Sequence, residues 1–421
     1  MGARDRYADE NQNPLARTGS PPRCPNQTPL LPRRSFSSGI DSQSDVFPYS
    51  CHPHYCVTPN LSEEVHVNRL YFSWLSRSAL GFLTLLTVSV LWAAPADDGA
   101  LLKQAQALFK PLPENMATAE YPVTPERAAL GRILFFDPRI SLDGTVSCSK
   151  CHQPTLYGTD ALARPIGVKD RENPRNAPTV LNAALQFSAH WRGDRVNVED
   201  QATQALVGPP SFGEPNYEAA IAKIKAIPGY TELFQKAFPG EKDPVTPRNW
   251  GKAIGAYERT FVTPAPFDAY LKGNVNALSP AARAGLRKFV DTGCTACHNG
   301  VAVGGGMYQK FGLMEDYWKE TQSKVIDKGR SDVTKNSADM YVFKVPGLRN
   351  VAMTPPYFHD GSVATLPQAV RVMAKVQLGK VLSAQDVDDI VAFLGSLTGR
   401  LPKDFETIPI LPSAAFVPGA K

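Results

Sequence analysis

The chain has 421 residues, with 45 Lys and Arg against 40 Asp and Glu, a formal charge of +5 at neutral pH. At 43% hydrophobic and 20% charged, it has the make-up of a globular protein of about two or three domains. No dense basic stripe runs along it, which argues against a nucleic-acid binder and leaves room for modest electrostatic docking with a soluble partner.

Residues 1–66 are rich in Pro, Ser, Arg and Asn, a composition expected to be disordered or to precede the true translation start. Residues 67–96 carry Arg69 and Arg77, the apolar run Ala79–Ala94 and the small-residue site Ala94-Pro95-Ala96. That order is the layout of a secretory signal peptide and predicts export to the periplasm. An uncleaved membrane anchor is the alternative, although the run is short for a span.

The exported part reads as one plan used twice. Thr124 and Pro125 form an N-cap and N1 pair ahead of an amphipathic helix that stops at Asp137-Pro138. Cys148-Ser-Lys-Cys151-His152 follows. A second helix, capped by Thr246 over Pro247–Val262, closes the first pass. In the second pass Ser279-Pro280 starts a helix, Cys294-Thr-Ala-Cys297-His298 follows, and Ala384–Leu397, capped by Ser383, closes it. The expected fold is mainly α: two cytochrome c-like helical domains over 97–262 and 263–402. Thr263–Asn274 is the expected linker, and the tail 403–421 is expected to pack on the first domain.

CxxCH is the attachment pattern of a c-type haem. The two thiols stand one helical turn apart and form thioethers with the porphyrin vinyl groups, while the next residue, His, reaches the iron. A zinc site built from two CxxC pairs leaves each His unexplained. A redox disulfide lacks its βαβ context. Cys148, Cys151, Cys294 and Cys297 are therefore the expected attachment residues of two haems, with His152 and His298 as their proximal ligands.

The sixth iron position decides between electron transfer and activation of a small oxidant. Met373 lies between the second CxxCH and its closing helix, where a chain can wrap over the haem face; core packing is the alternative for it. Between His152 and Pro247 there is no Met, and His190 is the sole further His. One closed and one open haem is the layout of a two-site redox enzyme.

Gly131–Ser141, Pro174–Ala183, Ile227–Gly240, Ala265–Asn274, Gly347–Ser362 and Ala369–Gly379 together resemble the bacterial di-haem cytochrome c peroxidases and the related protein-modifying di-haem enzymes. The resemblance runs from about Val123 to Pro402. It implies two haem c groups, with Met373 as ligand of the electron-accepting second haem and Trp191 between the haems. It implies Gln201 and Glu214 as the polar pair over the open first haem, Glu214 as acid–base, though the alignment there needs a gap. It implies a calcium ion held by Asn176, Thr354 and Pro356, a histidine of the family at His359, and a homodimer. The activity it implies is reduction of hydrogen peroxide with electrons from a small cytochrome c or cupredoxin, entering at the second haem and passing by way of Trp191.

One departure stands out. Well-studied members of that family carry a histidine after the Ile-Gly of the first domain, and here Val168 occupies that place. Valine cannot ligate iron, so the first haem is expected to be open even when both irons are ferric. A di-haem enzyme that oxidises a partner protein, or a non-catalytic di-haem electron carrier, remains as the alternative function. Met373 argues against the first, since a tyrosine takes that place in its best-known form, and the missing ligand opposite His152 argues against the second.

Overall fold

The computed structural model describes residues 98–413. The N-terminal extension, the segment expected to be a signal peptide and the last eight residues lie outside them. The described chain is helical, with α1 (Asp98–Leu108), α2 (Pro125–Phe136), α3 (Cys148–Cys151), α4 (Val198–Ala205), α5 (Tyr217–Ala226), α6 (Tyr230–Ala237) and α7 (Pro247–Glu258). Then come α8 (Pro266–Leu271), α9 (Pro280–Thr292), α10 (Tyr317–Thr321), α11 (Ser331–Thr334), α12 (Leu366–Leu378) and α13 (Ala384–Gly395). The sole sheet among the described residues pairs β1 (Tyr308–Lys310) antiparallel with β2 (Val342–Lys344). None of these helices is long and apolar enough to cross a membrane.

Four helices start where a hydroxyl side chain satisfies an orphan N–H of the first turn. Thr124 accepts from Arg127 N at 3.3 Å, and Thr246 from Asn249 N at 3.1 Å. Ser279 accepts from Ala282 N, and Ser383 from Asp386 N, each at 3.1 Å. In three of them proline follows the cap at N1. Both closing helices end earlier than the sequence pattern runs, at Glu258 and Gly395. Their last apolar residues, Phe261 and Leu397, are buried beyond the helix ends.

Two hydrophobic cores result. In the first, Leu130, Leu134 and Phe135 of α2 meet Trp250, Ile254 and Tyr257 of α7. In the second, Leu286 and Phe289 of α9 meet Ile390, Phe393 and Leu394 of α13. A glycine lies at each crossing. A Cβ on Gly131 would sit 1.9 Å from Ala253 O, and one on Gly285 1.7 Å from Asp389 O. Any larger residue would push the paired helices apart. Chain order and core membership differ at both ends. Leu101, Ala105 and Phe109 of the first segment pack in the second core. Phe405 of the tail packs in the first, its ring 4.6 Å from Phe261. Thr263–Asn274, expected to link the domains, carries α8, and its Phe267 and Tyr270 are buried in the second core. Its Pro266 begins a helix at N1 rather than breaking one.

The doubling extends to a pair of asparagines that the sequence reading passed over. Asn182 and Asn350 both adopt left-handed backbone, with φ 58° and 64°. Each donates its amide N–H₂ to the Thr263 hydroxyl, at 2.7 and 2.9 Å. Asn is the side chain most tolerant of this conformation after glycine. The buried polar cluster ties a loop of each half to the junction.

Asp137, which ends α2, is fully buried. It accepts from Tyr230 OH at 2.6 Å and from the Arg139 guanidinium at 2.5 Å. Burial pushes its carboxyl up, but these hydrogen bonds outweigh burial and hold it below the ordinary carboxylate range. A depressed folded-state pKa means stability that is present at neutral pH and is lost as pH falls below the unfolded value. Asp137→Asn is therefore expected to cost about 1–3 kcal/mol near pH 7. Denaturation curves across pH should show the gap to the parent closing below about pH 4, the ordinary Asp value; a gap that does not change with pH would contradict this.

Candidate functional site

Both CxxCH motifs fold into the same turn. His152 N donates to Cys148 O, and His298 N to Cys294 O, each at 3.0 Å. None of the four motif cysteines is in a disulfide, and burial raises each thiol pKa, Cys151 to about 12 and Cys294 to about 11. Burial also pushes both imidazoles down to about 4, so each is neutral at physiological pH. His152 Nδ1 lies 3.1 Å from Gly158 O. A carbonyl only accepts, so Nδ1 carries the proton and Nε2 keeps a free lone pair. That is the state of a ligating histidine with its other nitrogen held by a carbonyl.

One cavity of about 700 Å³ is lined by residues of both motifs. Cys151 and His152 line it from the first half; Cys294, Cys297, His298 and the half-buried Met373 line it from the second. Trp191, Gln201, His190 and His359 share it, as do Asn176, Thr354 and Pro356. Trp191 Nε1 donates to Asn176 O at 3.0 Å, and Asn176 N donates to His359 O at 2.8 Å. The Trp191 and His359 rings meet edge to face at 6.4 Å. His359 is buried within a cage of Phe311, Tyr317 and Phe343, with Asp327 3.9 Å from its Nε2.

The lining fits a haem. Besides free thiols and neutral imidazoles it contains Lys344, buried without a carboxylate partner and bound to the Gln186 side chain. Burial pushes its ammonium down to about 8. A propionate would supply the missing counter-charge, as buried charges are found paired.

Two expected participants stand elsewhere. Glu214 is buried, but its carboxylate turns to Lys223 Nζ at 2.5 Å and does not line the cavity. Lys223 also donates to Ser141 O and Leu142 O, so the pair closes a loop junction. The loop 208–213 turns back on itself, Gly213 N bonding Gly208 O, and presents Ser211 to the cavity instead. Val168 is also fully buried outside the lining, within 2.4 Å of where a Cβ on Gly213 would lie. Its loop is tied down by Val168 N to Ser211 O at 3.2 Å and by Asn173 Nδ2 to Pro210 O at 2.8 Å. His190 lines the cavity in a left-handed conformation, with Nδ1 3.4 Å from Asp194 Oδ1. Burial raises the Asp194 carboxyl, but its interaction with His190 and the charges of Arg192 and Arg195 outweigh it and lower it strongly.

Sequence reasoning missed Glu258, at the end of α7. It is 4% exposed, lines the cavity, and is pushed up to about 8 by burial and by the Glu199 charge against the opposing Arg259. Its position three residues before Phe261 marked a core-facing helix side; nothing in that periodicity shows a carboxyl facing a cavity.

A family model described as di-haem cytochrome c peroxidase matches residues 125–276. The cytochrome c551 peroxidase of Pseudomonas aeruginosa is 41% identical over 79% of this chain and 96% of its own. That of Nitrosomonas europaea is 42% identical over 78% of this chain and 95% of its own. Among solved structures, a MauG-like protein associated with microbial copper homeostasis superposes with a TM-score of 0.61 at 28% identity, covering 71% of this chain and 96% of that one.

Proposed function

The chain belongs to the di-haem cytochrome c peroxidase family, and we propose that it reduces hydrogen peroxide to water with electrons from a small soluble donor. The observation that carries this reading is the asymmetry of the cavity. Met373 of the second half lines it together with His298, whereas the first-half residues that line it include no Met and add the polar Gln201, Gln204 and Ser211.

When bound through the two CxxCH motifs, the haems supply the iron that takes up peroxide and carries electrons. The chain supplies the rest. His152 and His298 would hold the two irons, and Met373 would be a further ligand of the second. Gln201 orients peroxide by hydrogen bonding. Electrons enter at the Met373 half and reach the first half by way of Trp191, whose indole N–H is fixed on Asn176 O. Asn176, through its side chain, and Thr354 and Pro356, through their carbonyls, hold a calcium ion on the shared surface. The donor is a small cytochrome c or cupredoxin in the periplasm, and the enzyme works as a homodimer; both follow from the family resemblance and the export signal.

Glu214 held the acid–base role by resemblance. Its bond to Lys223 favours a structural role at the 208–214 loop. Met373 on the cavity weighs against oxidation of a partner protein, and the absence of a Met from the first-half residues that line it against a plain electron carrier.

The test is peroxide consumption by the di-haem protein with a reduced small cytochrome c. Stoichiometric donor oxidation, two per peroxide, is expected. Rapid donor oxidation and re-reduction without peroxide loss would leave the protein an electron carrier.

A further inference from the structure

We propose that Arg330 and Tyr308 are positioning residues for Trp191: from the second half of the chain they hold the loop that carries the indole, and so set the rate of electron transfer between the two haems. The proposal rests on the electron route through Trp191 in the peroxidase reading above.

Trp191 stands in a loop, Phe187–Arg195, outside every helix and strand. The loop is left-handed at His190 and Gly193, with φ 64° and 61°. Two internal bonds close it, Ala189 N to Arg195 O at 2.9 Å and Gly193 N to His190 O at 3.3 Å. Much of its anchorage comes from the other half. Phe187 N donates to Gly305 O at 3.0 Å. Three successive carbonyls then accept from second-half donors. Trp191 O takes Lys344 N at 2.7 Å, Arg192 O takes Arg330 Nη1 at 3.1 Å, and Gly193 O takes Tyr308 Oη at 3.2 Å. The loop therefore belongs to the first half by chain order and is tied to the second by hydrogen bonds.

The donors brace one another. Tyr308 of β1 stands opposite Lys344 of β2. Arg330 N donates to Val342 O at 2.7 Å, which fixes it to the same ribbon. Its guanidinium lies over the Tyr308 ring, 3.9 Å from the centroid, and the Phe187 ring meets Tyr308 edge to face at 4.8 Å. A Cβ on Gly193 would fall 2.0 Å from Tyr308 Oη, so the phenol rests on bare backbone. Arg330 makes no ion pair among the described residues; its charge goes to a neutral carbonyl and a ring face. Used in this way, a guanidinium gives direction rather than neutralisation: the stacked plane aims the N–H.

The step it serves moves one electron. The second haem is oxidised, the first is reduced, and no bond forms or breaks. Its rate depends on where the indole stands, and a misplacement of about 1 Å can cost a positioned reaction about 10²-fold.

The experiment uses the di-haem holoenzyme, its Trp191→Phe variant, and Arg330→Gln, Arg330→Lys and Tyr308→Phe in both backgrounds. Pulse radiolysis of the oxidised protein places an electron on one haem, and its redistribution to the other is followed in the visible spectrum without peroxide. That rate should fall about 10–100-fold in Arg330→Gln, and less in Tyr308→Phe, which loses one O–H and keeps the ring. Arg330→Lys should recover part of it, since the cation returns without the fork. Both haem potentials should stay as in the parent, so the driving force is unchanged. Ultraviolet resonance Raman spectra, with Trp191→Phe subtracted, isolate the Trp191 indole N–H band, which should shift in Arg330→Gln. In the Trp191→Phe background Arg330→Gln should slow the transfer no further, because it acts through the indole. A parental rate in Arg330→Gln, or the same fold-loss in both backgrounds, overturns the proposal. So does a parental rate in Trp191→Phe itself. If Arg330→Gln fails to take up haem, Tyr308→Phe decides by the same comparisons. A parent that passes electrons between its haems and consumes no peroxide fails the peroxidase reading alone.

Discussion

Met373→His is expected to lower the potential of the second haem by on the order of 100 mV or more, axial ligands having a span of about 0.8 V at their disposal. The reason is electronic. A thioether stabilises the reduced iron, while an imidazole is the stronger donor to the oxidised iron. Met373 lies on α12, where its flanking residues Val372 and Ala374 are buried and it lines the same cavity as His298. At 59 mV per tenfold for one electron, such a shift moves the equilibrium with a high-potential donor about 50-fold toward oxidised haem. Turnover with reduced cytochrome c should fall to a comparable degree, and a strongly reducing artificial donor should restore it. Spectroelectrochemical titration of both haems measures the shift directly. An unchanged second potential would show that Met373 is a core residue beside the iron rather than its ligand.

What the sequence could show depended on how local the cause was. The caps were legible because Thr124, Thr246, Ser279 and Ser383 each act on an N–H three residues away. CxxCH was legible because its spacing is its chemistry. The 263–274 segment was misread because two prolines look like a linker, while burial of Phe267 and Tyr270 depends on α13 and α1, far along the chain. Glu214 had the right residue type in a polar loop; its carboxylate is claimed by Lys223, nine residues on, and no motif announces that pairing. Asn182 and Asn350 each lie four residues after a proline, Pro178 and Pro346, and comparing the passes position by position could have found them. Glu258 had no comparable signal, since the cation beside it in sequence, Arg259, is bound by the distant Glu199.

The oxidised enzyme is expected to react with peroxide at once, without prior reduction. Reductive activation requires a ligand that occupies the first iron in the oxidised state and then leaves. Val168 cannot be that ligand, and its surroundings leave the loop little freedom to bring another. A Cβ on Gly167 would sit 1.8 Å from Pro210 O, so the two loops touch backbone to backbone. Val168 N, Asn173 Nδ2 and Lys169 N each hold the loop to a fixed partner: Ser211 O, Pro210 O and Asp143 Oδ2. Opening it would break several hydrogen bonds, each worth about 1 kcal/mol, and expose Val168, whose burial contributes about 1.5–3 kcal/mol. His190 also lines the cavity, and Asp194 lies 3.4 Å from its Nδ1. Mixing the diferric protein with peroxide in a stopped-flow instrument should therefore give a prompt change in the spectrum of the first haem. The rate should stay within about tenfold, 1.4 kcal/mol in barrier, of that after pre-reduction. The resting spectrum should contain a high-spin component together with the low-spin signal of the Met373 half. A wholly low-spin resting spectrum with a long lag would mean that a side chain reaches the first iron, and His190→Ala, with the lag abolished or kept, would then say whether it is His190.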